Sequence, residues 1–390
     1  MDDIDSSRIK EFYSKLKNFR QELHANPELS GKEDKTQKRI LDFLKDTNPD
    51  KIIKDIGGYG LAYIFDSGKK GPSVLFRGDI DALPINEYNS RINYISKNKG
   101  VAHLCGHDGH TTVLSGLAKL IDLNPPKIGK TILLFQPAEE TGQGAEAVIK
   151  DEKFKEINPD YAFAFHNLPG YKRHNLIIKE GAFASASTGV IIGLKGLSSH
   201  AAYPEDGNNP DLCLAELIQK FNKIKIENIF DDFVLLTVIH TKLGEQAFGT
   251  SPGEAVIMLT IRAYQNEDID RLKNQVNEVT KQCCDKYGIK HNLKYTEEFP
   301  ASINDKACVE IVHQAANESN INAIQIDAAF RWSEDFGHFT INNKSAIFGI
   351  GSGEDHPQLH NEDFNFPDEI IETAINIFYK IYKKFQAYDE

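Results

Sequence analysis

Four segments concentrate side chains that can do chemistry: HLCGHDGHTT at 103–112, FQPAEETGQGA at 135–145, FHNLPG at 165–170 and LHNEDF at 359–364. Each sets a Cys, His or Glu in a loop directly after a strand-like run or before a helix-like one. In an open α/β sheet such loops gather at the carboxyl edge of the strands, so the four segments are expected to share one site. Its donors are a thiol (Cys105), imidazoles (His107, His166, His360) and a carboxylate pair (Glu139, Glu140). Thiolate, imidazole and carboxylate together suit a borderline divalent ion such as zinc, with manganese, cobalt or nickel also compatible. Two such ions polarise a carbonyl and bring the pKa of water down towards roughly 7. One glutamate of the pair then binds metal while its neighbour takes the water proton and returns it to the leaving nitrogen.

Singly, each residue has a plainer reading. Cys105 alone is a small buried side chain, the glutamate pair a solvated surface, His166 a core histidine and His360 a loop residue bonded to backbone. Their joint occurrence at equivalent topological positions is what points to a metal centre.

The elements that must position these groups follow from periodicity. Ile9, Phe12, Leu16, Phe19 and Leu23 are spaced for an amphipathic helix over residues 4–24, which breaks at HANPELS. Strand-like runs at 61–65, 73–77, 132–136 and 161–165 alternate with a helix over 111–123, which implies an α/β sheet with substantial parallel pairing. From about residue 187 the order becomes strand, helix, strand, strand, helix, strand, a ferredoxin-like α+β unit. After 297 the alternation resumes, with a helix over 305–318, a strand at 345–350 and a helix over 367–387. The expected architecture is one α/β domain, residues 1–186 and 297–390, interrupted by an inserted domain at 187–296.

Composition removes several classes of function. A formal net charge of −12, with no basic cluster interleaved with aromatics, argues against nucleic-acid binding. No apolar run is long enough to span a bilayer, and MDDIDSSRIK is acidic and polar where a signal peptide is basic and then apolar. Five cysteines, odd in number and irregular in spacing, suit a reducing compartment, and the expected location is the cytoplasm.

Beyond the four segments, FRQELHANPELSGKE at 19–33, RGDIDALPI at 77–85, GAFASAS at 181–187, SHAAYPEDGNNP at 199–210, TIRAY at 260–264 and WSEDFGHF at 332–339 occur in order along almost the whole chain. This series resembles the peptidase M20 family, in particular its amidohydrolase branch of N-acyl-amino-acid deacylases, hippurate hydrolases and auxin-conjugate hydrolases. The resemblance implies a zinc-peptidase-like catalytic domain and an inserted domain that serves as lid and dimerisation module. It further implies a two-metal centre with Cys105, His107, Glu140, His166 and His360 as ligands and Glu139 as general base and acid. His200, in the inserted domain, is expected to hold the tetrahedral intermediate, often across a dimer. Asp79 and Asp108 are expected to orient ligands, and His103 and His110 to stay outside the metal shell. Arg262, at the end of IMLTIRAY, suits either a substrate carboxylate or a structural ion pair.

Three departures from the family pattern bear on substrate choice: GLSSH before the histidine, Glu205 after Pro204, and Thr141 after the glutamate pair. The implied substrate is an N-acyl amino acid or a short peptide, and the implied assembly a homodimer through the inserted domain. The alternatives are a di- or carboxypeptidase of the same superfamily, a cysteine hydrolase using Cys105 with His107 or His110 as base, and a non-catalytic metal- or ligand-binding protein.

Overall fold

The computed structural model describes residues 6–224, 230 and 232–386. These fall into two compact units, one of Met1–Phe183, Ser302–Ala328 and Asp335–Glu390, the other of Ala184–Ala301 with Ala329–Glu334.

The first unit is built on a mixed sheet of eight strands. Its early strands are β1 (Lys51–Ile56), β2 (Gly60–Asp66), β3 (Ser73–Asp79), β4 (Lys130–Gln136) and β5 (Tyr161–Pro169). The spatial order is β1, β2, β4, β3, β5, then Lys344–Gly353, Leu176–Ile178 and Ala323–Gln325. Strands β4, β3, β5 and Lys344–Gly353 run parallel, while β1 and β2 add an antiparallel edge. The parallel centre is where the sequence offers unbroken apolar runs such as ILLF and AFAF. Every residue of β3 is buried, as a strand covered on both faces requires.

Helix α1 (Ser6–Ala25) buries Leu16, Phe19 and Leu23 in the core of this unit. The later helices α2 (Asp34–Phe43) and α3 (His107–Leu123) bury Ile40 and the stripe Val113, Leu114, Leu117 and Ile121 in the same core. The helix Ile370–Gln386 joins them there with Ile375, Phe378 and Ile381. Gly109 lets α3 sit close to the chain: a Cβ on it would lie 2.2 Å from the ring of Phe366. Gly109→Ala is therefore expected to destabilise the unit by about 1 to 3 kcal/mol, despite alanine's better helix propensity. A urea unfolding midpoint that is unchanged or raised would contradict this packing.

The second unit is a four-stranded antiparallel sheet in the order Val234–Leu243, Glu254–Ala263, Ala186–Lys195, Lys290–Phe299. Helices Asp211–Ile224 and Asn266–Tyr287 complete the β-α-β-β-α-β order. Strand Glu254–Ala263 alternates buried and less buried residues along its length, the mark of a sheet with one covered face. The segment Ala329–Glu334 bonds into this unit, where Phe330 O accepts from Ser185 N and Oγ. Nothing in its sequence assigns it there.

Candidate metal centre

Parallel register aligns the strand ends that carry the chemistry. Asp79 at the end of β3 pairs with Gln136 at the end of β4, and both strands lead into the segments holding Asp81 and Glu139. Two of the expected loops prove to be regular structure. His166 lies on β5, which continues to Pro169, because Phe165 to Leu168 pair with the parallel strand Phe348 to Gly351. His107 is the first residue of α3 rather than part of a preceding loop; Gly106 at φ 102° turns the chain into the helix.

The structure brings Cys105, His107, Glu140, His166 and His360 together within the first unit. Donor atoms of Cys105, His107 and His166 lie within 4.8 Å of one another, as do those of Cys105, Glu140 and His360, so Cys105 belongs to both triads. Cys105 Sγ is 3.5 Å from His166 Nε2, and His107 Nε2 is 3.7 Å from Glu140 Oε1. His360 Nε2 stands 3.8 Å from Glu140 Oε2. His360 itself adopts φ 65°, a left-handed conformation rare for a residue with a side chain, with its N–H donating to Leu104 O at 2.8 Å. Glu139 is buried beside the cluster, its Oε2 3.7 Å from His107 Nε2.

Hydrogen bonds remote from the cluster fix how two of the rings face it. His107 Nδ1 lies 3.1 Å from Asp81 Oδ1, and His166 Nδ1 lies 2.9 Å from Asn167 O. With those nitrogens donating, Nε2 of each ring turns a lone pair inward, the arrangement in which imidazole binds a metal. His107 Nε2 and Glu140 Oε1 are buried with no hydrogen-bond partner among the described residues. Inward lone pairs, a buried thiol and unsatisfied buried donor atoms fit a divalent ion. His110 is different: its nitrogens meet Asp79 Oδ1 and Asn167 Oδ1, both at 2.7 Å, which commits it to holding the frame.

Charge supports the same fit. Burial pulls the His107 pKa down, but Asp79, Asp81 and Glu140 outweigh it and push it up to about 10. Burial, with Asp81 and Asp79, pushes Glu140 up to about 8 against the pull of His107. Burial also holds His166 well below the usual histidine range, with His110 adding to the shift. The raised Glu140 reflects carboxylates crowded about His107, a repulsion that a bound cation would relieve.

The carboxylate that orients His107 is Asp81, which the sequence leaves unmarked, and not Asp108. Asp108 instead accepts from Arg20 Nη1 at 2.9 Å and faces His24 Nδ1 at 2.8 Å, locking α1 to the start of α3. Asp79 is held by Arg77 at 2.6 Å, and Arg77 also reaches Asp335 at 2.7 Å, so Asp79, Arg77 and Asp335 form one buried frame. His103 is buried with neither ring nitrogen bonded among the described residues, and burial holds its pKa down at about 4.

The remaining two candidates lie in the second unit. His200 is exposed in the short strand Ser199–His200, paired with Thr250–Ser251, and its Nδ1 accepts from Ala202 N at 3.1 Å. Arg262 donates through Nη1 to Arg331 O and Ser333 Oγ, each at 2.9 Å, and makes no ion pair among the described residues.

Residues 75–384 match the family described as Peptidase family M20/M25/M40. The chain belongs to this family. Among its relatives, an N-acetyl-L-cysteine deacetylase of Bacillus subtilis is 30% identical over 375 residues, covering 94% of this chain and 87% of the relative. A hippurate hydrolase of Campylobacter jejuni is 28% identical over 379 residues, covering 97% and 98%. Among solved structures, an aminohydrolase from methicillin-resistant Staphylococcus aureus shares the fold with a TM-score of 0.87 at 24% identity, covering 96% of this chain and 97% of that one. A Bacillus subtilis protein described as a dinuclear metal binding peptidase of the M20 family gives 0.81 at 24%, covering 95% and 97%. As an M20 member of the amidohydrolase branch, the chain is a hydrolase of carbon–nitrogen bonds.

Proposed function

We propose that this M20 hydrolase is a deacylase that cleaves the amide bond of N-acyl amino acids. Two divalent ions would be held by Cys105, His107, Glu140, His166 and His360. The observation that carries this reading is the pair of triads sharing Cys105, with the remote nitrogens of His107 and His166 committed to acceptors. The bound ions supply Lewis acidity to the scissile carbonyl and lower the pKa of the attacking water. Glu139 takes the water proton and returns it to the leaving nitrogen; its burial against the cluster supports that role. Names among the relatives, a hippurate hydrolase and an N-acetyl-L-cysteine deacetylase, support an acylated amino acid as substrate.

His200 is assigned the hydrogen bond to the developing oxyanion, and Arg262, its guanidinium steadied by Arg331 O and Ser333 Oγ, the substrate carboxylate. The outer strand Val234–Leu243, exposed over most of its length, supports a homodimer through the second unit. Five free thiols support a cytoplasmic setting. No described helix is long and apolar enough to cross a membrane.

Turnover of a panel of N-acyl amino acids and short peptides by protein loaded with zinc, manganese, cobalt or nickel tests the reading. Faster hydrolysis of N-acyl amino acids is expected. Cleavage of di- or tripeptides alone would make the enzyme a peptidase of the same family. His200→Ala is expected to lower kcat by about 10² with both metals retained, the loss typical of a missing oxyanion donor. An unchanged kcat would remove His200 from the mechanism.

A further inference from the structure

The segment NPELSGKE, residues 26–33, contributes no group to the chemistry proposed above, yet it reaches the turn that carries the glutamate pair. Glu33 is fully buried at the start of α2 and makes no capping bond to its own helix. Its Oε1 accepts instead from Gly31 N and from Ala138 N, both at 2.9 Å. Its Oε2 is buried with no hydrogen-bond partner among the described residues. A buried carboxylate with one unsatisfied oxygen destabilises the fold unless its other contacts offset the cost, so what Oε1 holds is the informative part.

What it holds is a strained residue. Ala138 immediately precedes Glu139 and adopts φ 53°, a region L-residues rarely occupy. Ala138 O in turn accepts from Gly144 N at 3.0 Å and from Thr141 Oγ1 at 3.2 Å, closing the turn over 138–144. Glu140 is anchored separately: its N–H donates to Asp81 Oδ2 at 3.0 Å, and the same oxygen accepts from Ser30 Oγ at 2.7 Å. A bridge between Leu29 and Ala82, with Ala82 N donating to Glu28 O at 2.9 Å, fixes the segment against GDIDALP.

We propose that Glu33 is a positioning residue for Glu139: its carboxylate holds the Ala138 peptide in the left-handed conformation that aims the Glu139 side chain at the attacking water. Ser30, acting through Asp81, fixes Glu140 by an independent contact. This inference rests on Glu139 being the general base.

The test compares Glu33→Gln, Glu33→Met and Glu33→Asp in metal-loaded protein, with Glu139→Gln as control. Gln keeps an acceptor in place and is expected to keep kcat within about threefold. Met has similar bulk but no oxygen, and Asp keeps the charge but is one methylene short; both are expected to lose about 10 to 10² in kcat, since small misplacements of a reacting group cost that much. KM and bound metal should stay unchanged, because Glu140 keeps its own anchor. In protein labelled at alanine nitrogen, the Ala138 amide proton resonance should stay put in Gln and move upfield in Met and Asp. If Met does not fold, Asp carries the test alone. Full kcat in Met or Asp with the Ala138 resonance moved would overturn the proposal, as would a kcat loss in folded protein that merely follows lost metal. Should Glu139→Gln itself keep full turnover, the general-base assignment falls whatever Glu33 does; an inactive Glu139→Gln beside a fully active Glu33→Met sinks the positioning role alone.

Discussion

Protein stripped of divalent ions by a strong chelator turns over no amide substrate and recovers when a divalent ion is returned. The expectation follows from what the site's side chains cannot do alone. Cys105 is the one nucleophilic side chain in the cluster, and at 3.5 Å from His166 Nε2 it superficially has the partner that a cysteine hydrolase needs. That pair is badly suited to the task. Burial and His110 hold the His166 pKa well below the usual range, which makes its ring a poor base for a thiol. Without the ions, therefore, the Cys105–His166 pair activates neither a water nor the thiol. Residual turnover in rigorously metal-free protein, together with a trapped acyl-enzyme, would transfer the chemistry to Cys105.

The second large effect separates two adjacent residues of identical type. Glu139→Gln should lose roughly 10² to 10⁴ in kcat while keeping both ions, since the amide preserves size and removes the proton carrier. Glu140→Gln should instead lower metal occupancy. Geometry supports the division. Glu140 shares a triad with Cys105 and His360, its Oε1 has no hydrogen-bond partner among the described residues, and its N–H is held by Asp81. Among the described residues, Glu139 shares no triad with Cys105; it groups with His107 and Glu140 and accepts from Asp335 N at 3.4 Å. Metal analysis showing occupancy lost in Glu139→Gln and retained in Glu140→Gln would reverse the pair.

Much of this arrangement is legible in the chain because the chemistry sits at the ends of strands that announce themselves. The runs SVLFR, ILLFQ and YAFAF read as buried parallel strands, and the second unit's alternation reads as a half-covered antiparallel sheet. What stays hidden depends on tertiary contact. HLCGHDGH has the composition of a loop, but Thr111 Oγ1 donates to Asp79 O at 2.7 Å, and the close approach of Gly109 to Phe366 holds the segment as the first turn of α3. Asp79 and Asp81 stand two apart in GDID, and only the fold reveals that the second faces His107 Nδ1 while the first faces His110. Asp108 looks like a ligand's companion because it adjoins His107, yet a helical turn directs neighbours to different faces, and it meets Arg20 and His24 instead. Arg20 and His24 are four apart on α1, a spacing that could have flagged a shared buried partner.

The most direct test of the central claim is titration of metal-free protein with cobalt, following both stoichiometry and the near-ultraviolet band of thiolate bound to cobalt, in the wild type and in Cys105→Ser. Two ions per chain with a thiolate band are expected in the wild type, and a lost band with weakened binding in Cys105→Ser, since a neutral hydroxyl is a much poorer partner for these ions. A single ion per chain, or a fully active wild type lacking the thiolate band, would contradict a two-metal centre that shares Cys105.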